Sequence, residues 1–275
     1  MAYQTPGAGA LNYYPCRYGA SKLLFRGPKK DLDRPYVAFV GGTETYGKFV
    51  DRPFPDLAAA GLGVDTLNLG CVNAGIDVFL NDRTVLDLCR AAALTVLQVP
   101  GAQNMSNRFY AVHPRRNDRF LRASPLLQTL YGEIDFTDIN FTRHLLQALA
   151  RASGERFAIV RQELRHAWVA RMRHMTQTLR GNVLLLWLSD HAPDDMRRCD
   201  RLGSDPLFVT RAMLEEIRPA VKGLVEVVGT REEVAQGCDR MIRSDLDAPA
   251  AREMLGPVVQ EKAAAVLQDA LARLL

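Results

Sequence analysis

The segment YVAFVGGTETYG, residues 36–47, decides the fold expected for this chain. It begins with an apolar run of β-branched and aromatic residues, which is typical of a buried strand. Two glycines and Thr43 follow, and glycine lets the backbone turn sharply or approach a ligand closely. Open α/β sheets bind ligands at the carboxyl ends of their strands, so this turn predicts a ligand site. Taken alone, the pattern fits an ordinary strand-to-helix turn equally well.

The rest of the chain alternates apolar runs with helical patterns. Strands separated by helices imply a parallel sheet with helices on both faces. We therefore predict a flavodoxin-like three-layer α/β sandwich with five mostly parallel strands in the order 2-1-3-4-5. The other predicted strands are residues 64–69, 94–99, 182–188 and 223–228. The predicted helices are residues 53–63, 82–93, 138–152, 155–180, 206–219 and 257–275.

The domain organisation follows from where this alternation begins and where it is interrupted. Residues 1–34 are rich in Gly, Pro and Tyr and predict an irregular N-terminal arm, and residues 35–275 form the α/β domain. No regular element is predicted for residues 101–135. Residues 101–180 are long for one crossover, which favours a helical insertion or cap. One apolar stripe marks the second helix of this region: Phe157, Val160, Leu164, Trp168, Met172, Met175 and Leu179.

The composition is that of a folded globular protein. Of the 275 residues, 48% are hydrophobic and 24% are charged, and the formal net charge is +4. This mild excess of positive charge is not typical of a dedicated nucleic-acid-binding protein, so no nucleic-acid partner is expected. The longest apolar run, residues 183–188, is too short to span a membrane.

Cysteine and histidine spacing predicts neither disulfides nor a metal site. The five cysteines are scattered without a C-x-x-C pair, which favours reduced thiols. His166 and His174 share a predicted helix but lie eight residues apart, outside the H-E-x-x-H spacing. The N-terminus lacks the pattern of a signal peptide. We therefore expect a cytoplasmic protein without a cofactor or a metal.

Three segments at successive strand ends resemble sequence blocks of the SGNH (GDSL-like) hydrolase superfamily. They are FVGGTETYG at residues 39–47, NLGCVNAGI at residues 68–76 and VLQVPGAQNMSN at residues 96–107. Their order and strand-end placement both match that superfamily. The run SNRFYAVHPRRND, residues 106–118, also resembles a bacterial domain family that has no established activity.

The SGNH resemblance implies an acyl-transfer site. Thr43 occupies the nucleophile position, Gly70 offers a backbone N–H to an oxyanion, and Gln103 or Asn104 offers an amide donor. It also implies substrate contacts from Gly42, Glu44 and Asn73. Two roles are open for Glu44: it is either a general base or an acidic residue in the first turn of a helix, where its charge favours the helix dipole.

The sequence departs from the superfamily pattern at the nucleophile and at the base. Gly42 replaces an aspartate and Thr43 replaces a serine. The last block lacks its histidine, and Gln260 cannot serve as a base. His191 or Asp190, at the end of the fourth strand, can substitute for the base, although a position in the turn is the preferred explanation for both.

A basic run at residues 106–124 is the second candidate binding feature. Arginine forks bind carboxylate, phosphate or sulfate in a bidentate manner, and the run begins near the third strand end. It therefore predicts an anion site beside the cleft, against the alternative of a solvated loop. The substrate-binding candidates are Arg108, His113, Arg115, Arg116 and Arg119.

Two classes of function remain open at this point. One is an SGNH-like esterase or acyltransferase acting on a small-molecule or acyl-type anionic substrate. The other is a non-hydrolytic α/β anion-binding protein, or a sulfo- or phosphoryl-type transferase. A carboxylate or imidazole within hydrogen-bond reach of Thr43 separates them, because a hydroxyl nucleophile needs a base.

Overall fold

The computed structural model describes residues 11–60 and 63–275. The first ten residues of the predicted arm and residues 61–62 of the helix predicted at 53–63 lie outside the described residues. No helix in the described ranges has the length and apolar character needed to cross a membrane.

Five parallel strands form the central sheet in the order β2 (Asp65–Asn68), β1 (Tyr36–Val40), β3 (Leu94–Gln98), β6 (Val183–Ser189) and β7 (Gly223–Val228), so the predicted order is confirmed. The apolar runs at residues 36–40, 94–98 and 183–189 are buried along their whole length, as strands covered on both faces must be. The strands of the whole chain are β1 Tyr36–Val40, β2 Asp65–Asn68, β3 Leu94–Gln98, β4 Tyr110–His113, β5 Arg116–Ala123, β6 Val183–Ser189 and β7 Gly223–Val228.

Helices cover both faces of the sheet and complete the predicted three-layer α/β sandwich. In chain order they are α1 Thr43–Tyr46, α2 Phe54–Ala60, α3 Ile76–Leu80, α4 Arg83–Ala91, α5 Pro125–Leu130, α6 Thr142–Ala152, α7 Gly154–Thr178, α8 Met196–Cys199, α9 Arg211–Ile217, α10 Arg231–Asp239, α11 Ala248–Ala251 and α12 Pro257–Leu274. Helices α2 and α12 pack on one face, while α3, α4, α6, α7 and α9 contribute to the core on the other.

The stretch at residues 101–135 differs from the prediction because it contains regular structure. Strands β4 and β5 pair as an antiparallel hairpin with irregular register, and α5 follows them. Charged residues occupy much of β5 and leave no apolar alternation to reveal the strand. A buried asparagine, Asn117, holds the hairpin by donating to His113 O at 3.0 Å and accepting from Val78 N at 2.9 Å.

Helix α7 forms part of the sandwich layer itself. The predicted stripe is buried, and Trp168 Nε1 donates to Pro100 O at 2.8 Å, directly after β3. Its side chains share one apolar core with Leu185 and Trp187 of β6. The helical part of the region at residues 101–180 therefore covers the sheet.

Close backbone packing brings the ends of β1, β2 and β3 together. A side chain at Gly41 would lie 2.2 Å from Thr45 Oγ1 and 2.5 Å from Gln98 Oε1. A side chain at Gly70 would lie 2.3 Å from Tyr46 N. Only glycine lets the backbone at residues 41 and 70 lie this close to its neighbours. The three sequence segments therefore meet at one edge of the sheet.

Candidate functional site

A cleft of about 820 Å³ opens at the carboxyl edge of the sheet. Thr43 and Glu44 enter it after β1, Gln103 and Asn104 after β3, and Asp190 after β6. This is the place where open α/β sheets bind ligands.

Thr43 and Asn73 form a closed pair in the cleft wall. Thr43 Oγ1 donates to Asn73 Oδ1 at 3.2 Å and accepts from Asn73 N at 3.0 Å. Asn73 Nδ2 donates to Asp118 Oδ2 at 3.3 Å, which fixes the orientation of the amide because a carboxylate only accepts. The hydroxyl proton of Thr43 therefore points to a neutral amide oxygen.

Asn104 connects this pair to the helix beneath the cleft. Its Nδ2 donates to Asn73 O at 3.2 Å, and its Oδ1 accepts from Thr142 Oγ1 at 2.7 Å. Asn104 is buried, so these contacts also satisfy its desolvated amide. The expected oxyanion donor is thus engaged within the protein.

Gln103 lies beside Asn104 and bonds to a second carboxylate of the cleft. Its Nε2 donates to Asp205 Oδ1 at 2.8 Å, while its buried Oε1 has no partner among the described residues. Asp205 Oδ1 also accepts from Leu207 N at 3.2 Å. Both amides of the third sequence segment are therefore used to hold neighbouring groups.

Gln98, at the end of β3, fixes the turn after β1. Its Oε1 accepts from Gly42 N at 3.1 Å, Thr45 N at 3.2 Å and Thr45 Oγ1 at 2.5 Å. Its Nε2 donates to Glu44 Oε2 at 3.1 Å. Burial raises the pKa of Glu44, the bond from Gln98 partly offsets this, and nearby Asp205 raises the pKa further.

The backbone N–H groups of Gly42 and Gly70, two residues of the predicted site, donate hydrogen bonds within the protein. Gly70 N donates to Asn68 Oδ1 at 2.9 Å, and Gly42 N donates to Gln98. Gly70 is also not among the residues that line the cleft. Neither N–H is therefore free for a ligand in this arrangement.

His191 lies behind the cleft wall and does not line the cleft. Its ring is buried edge-on against Trp187, with ring centroids 5.6 Å apart. Ser189 Oγ at 2.7 Å and Asp190 Oδ1 at 3.0 Å both approach the same ring nitrogen, Nδ1. A catalytic imidazole holds its acid on one nitrogen and its nucleophile on the other. The contacts seen here do not form that relay.

Asp190 does line the cleft, but it is tied into ionic and hydroxyl contacts. It pairs with Arg198 at 2.5 Å and accepts from Ser204 Oγ at 2.6 Å. Burial alone would raise the pKa of Asp190, but hydrogen bonds from His191, Ser204 and Arg198 lower it below its usual range.

None of the arginines of the basic run lines the cleft, and Asp118 is the one residue of that run that does. Arg108 pairs with the buried Glu163 at 2.5 Å, and the Arg119 guanidinium lies 4.1 Å from the Phe141 ring centroid. Arg115 and Arg116 are exposed near the hairpin turn. His113 Nδ1 accepts from Arg115 N at 3.2 Å.

Other cations line the cleft instead, and the sequence motifs did not single them out. Arg143 begins α6 and donates to Gly203 O at 2.9 Å. The Lys48 ammonium lies 4.7 Å from the Phe49 ring centroid, and Arg252 precedes α12. Lys48 adjoins the first segment and was accessible to sequence reasoning. Arg143 and Arg252 come from distant elements without a motif.

Gln260 is a structural residue of α12. It is buried, donates to Glu44 O at 3.0 Å and accepts from Phe54 N at 2.8 Å. It therefore ties α12 and α2 to the turn that carries Thr43. In the described part of the chain, no group of three or more His, Cys, Asp or Glu residues is placed to hold a metal.

Fold and site together define an α/β three-layer protein with a polar cleft at the carboxyl edge of a parallel sheet. The chain belongs to the family described as "Domain of unknown function (DUF6473)", whose model matches residues 1–275. No curated protein matches the chain.

Two solved structures are similar to this chain. One is a carbohydrate esterase family 2 enzyme with a carbohydrate-binding domain from Corynascus thermopiles (Myceliophthora fergusii). It has 11% identity and a TM-score of 0.41, and the match covers 90% of this chain and 69% of that one. The other is the lipase Lip_vut3 from a goat rumen metagenome. It has 12% identity and a TM-score of 0.43, and the match covers 86% of this chain and 97% of that one.

Proposed function

We propose that this chain is a divergent SGNH-like protein that binds a small anionic molecule in the cleft, with Thr43 as a hydrogen-bond acceptor for the ligand and not a nucleophile. A ligand that also carries hydroxyl or amino groups fits best, because carboxylates and amides line the cleft beside its cations. This is the non-hydrolytic class of the two that the sequence left open.

The bonding of Thr43 is the observation that carries this proposal. A hydroxyl nucleophile needs a base to remove its proton at neutral pH. Among the described residues, both hydrogen bonds of Thr43 Oγ1 are with Asn73, whose amide is neutral. Within the described residues, no carboxylate or imidazole lies at hydrogen-bond distance from this oxygen. Thr43 therefore keeps its proton and suits ligand binding better than attack.

The basic residues of the cleft support an anionic ligand. Lys48, Arg143 and Arg252 line it, and none of them forms an ion pair with a carboxylate in the described ranges. Guanidinium groups suit carboxylate, sulfate and phosphate, and charge-assisted hydrogen bonds are the stronger class.

A calorimetric titration with sulfate tests the proposal. We expect binding at moderate salt, weakened about tenfold in Lys48→Ala and in Arg252→Ala, since one such contact contributes about 1.5 kcal/mol. Arg83→Ala is the matched control, because that side chain is 95% exposed on α4 and outside the cleft. Equal affinities in all four proteins contradict a sulfate site at these cations.

The basic hairpin is the alternative location for the anion. Arg115 is exposed at the hairpin turn, and the variant Arg115→Ala tests whether the hairpin binds sulfate. If Arg115→Ala loses sulfate affinity and Lys48→Ala does not, the anion binds at the hairpin and not in the cleft.

The esterase class is tested separately, with short p-nitrophenyl esters and a fluorophosphonate probe. We expect slow turnover and no labelling of Thr43, because the hydroxyl lacks a base. Rapid turnover that disappears in Thr43→Ala restores the nucleophile role and refutes the binding role.

A further inference from the structure

Glu44 is a half-buried acidic residue of the cleft that has no cationic partner in the described ranges. It follows Thr43 in α1 and lines the cleft. In the described ranges, the carboxyl group accepts one side-chain hydrogen bond, from Gln98 Nε2 to Oε2.

Gln98 cannot reverse its amide to change this arrangement. Its Oε1 already accepts from two backbone N–H groups and from the Thr45 hydroxyl. A reversed amide would point its N–H groups at these donors and leave them unpaired. Gln98 therefore presents an N–H to Glu44 Oε2, so a proton on this carboxyl group belongs on Oε1.

Burial and the charge of Asp205 favour the neutral form of Glu44. The cations of the cleft are Lys48, Arg143, Arg198 and Arg252, and none of them pairs with Glu44 in the described part of the chain. The other carboxylates of the cleft are Asp118, Asp190, Asp205 and Glu253. Burial raises the pKa of Glu44 most, and the charge of Asp205 adds to it.

We propose that Glu44 is the proton-exchanging group of the cleft, and that an anion binds together with one proton taken up by its carboxylate. This inference rests on the proposed anion-binding function. The neutral carboxyl donates its O–H from Oε1 to an oxygen of the anion, and no covalent bond forms or breaks in the ligand. When Glu44 is ionised in the free protein, binding draws that proton from solvent.

The proton uptake makes affinity depend on pH in a defined direction. Below the raised pKa, Glu44 is already protonated and the anion binds without proton exchange. Above it, the proton must be taken up, so affinity falls as pH rises. Glu44→Gln keeps the shape and the acceptor for Gln98 Nε2 but cannot titrate.

The first test reads Glu44 in the free protein by NMR titration of ¹³C-labelled glutamate carboxyl carbons. We expect one resonance that titrates above the others and is absent in Glu44→Gln. A Glu44 resonance that titrates at or below the ordinary glutamate range overturns the proposal, whether or not an anion binds.

The second test counts protons by sulfate calorimetry in two buffers of different ionisation enthalpy, because sulfate itself does not titrate near neutral pH. We expect uptake approaching one proton above the Glu44 pKa, none in Glu44→Gln, and wild-type uptake in Glu215→Gln, an exposed control on α9. Sulfate binding without proton uptake, or with proton uptake retained in Glu44→Gln, overturns the proposed coupling between anion binding and protonation of Glu44. Absence of sulfate binding at every pH overturns the proposed function and the coupling with it, while the NMR titration still decides the protonation of Glu44.

Discussion

Replacing Gln98 by alanine removes the side chain that holds the turn after β1. Gln98 is 5% exposed, and its Oε1 accepts from Gly42 N, Thr45 N and Thr45 Oγ1. A buried polar group left without a partner costs about 1–3 kcal/mol. Two backbone N–H groups lose their partner, while the Thr45 hydroxyl can rotate, so we expect a loss of about 4 kcal/mol in the free energy of unfolding. That is a large share of the roughly 5–15 kcal/mol typical of a folded domain.

Chemical denaturation followed by tryptophan fluorescence measures this loss, because Trp168 and Trp187 are fully buried. Gln128→Ala, an exposed position on α5, is the matched control and should change the free energy of unfolding by less than about 0.5 kcal/mol. A loss below about 1 kcal/mol for Gln98→Ala refutes the argument that Gln98 holds the turn.

Gln98→Glu separates the two roles of the amide. It keeps an acceptor for Gly42 and Thr45 but replaces the donor to Glu44 with a second carboxyl group. Like charges at this distance disfavour joint ionisation, so the variant should lose more stability near neutral pH than in mild acid. An equal loss at both pH values contradicts the contact between Gln98 Nε2 and Glu44.

Three further predictions follow from buried polar groups. Gln260→Ala leaves Phe54 N unpaired and removes one of the two hydrogen bonds to Glu44 O, which keeps the bond from Gly47 N. It should cost about 3 kcal/mol in denaturation, whereas Gln268→Ala, on the same helix with one contact to Leu57 O, should cost about 1 kcal/mol. Burial raises the pKa of Glu44 in the folded protein above its value in the unfolded chain. The protonated carboxyl group therefore stabilises the fold at low pH, and this stabilisation is lost as pH rises from the unfolded-state pKa to the folded-state pKa. Thermal melts should show that Glu44→Gln gains stability relative to wild type across that pH range. Trp168→Phe removes the donor to Pro100 O and should lower the free energy of unfolding by about 2 kcal/mol, and an unchanged value contradicts that contact.

The sequence predicted the sheet well because its strands carry a local signal. Buried parallel strands are continuous apolar runs, so residues 36–40 and 94–98 were visible without tertiary information. Neighbouring parallel strands end at a shared edge, and Thr43 and Asn104, which follow β1 and β3, both line the cleft there. The hairpin at β4 and β5 was missed because its charged residues hide the alternation of a strand.

The chemistry of the cleft depends on contacts that no local pattern encodes. The direction of the Thr43 hydroxyl is set by Asn73, and the His191 ring is turned into the core by packing on Trp187. Arg143 and Arg252 reach the cleft from distant helical segments without any shared motif. Side-chain orientation and long-range assembly therefore decide which polar residues remain available to a ligand.

The most direct test of the central claim is a crystal structure of the protein soaked in sulfate. We predict an anion inside the cleft, within hydrogen-bond distance of at least one of Lys48, Arg143 and Arg252, which line it. An empty cleft, with sulfate bound only at the hairpin arginines or nowhere on the protein, would contradict the account.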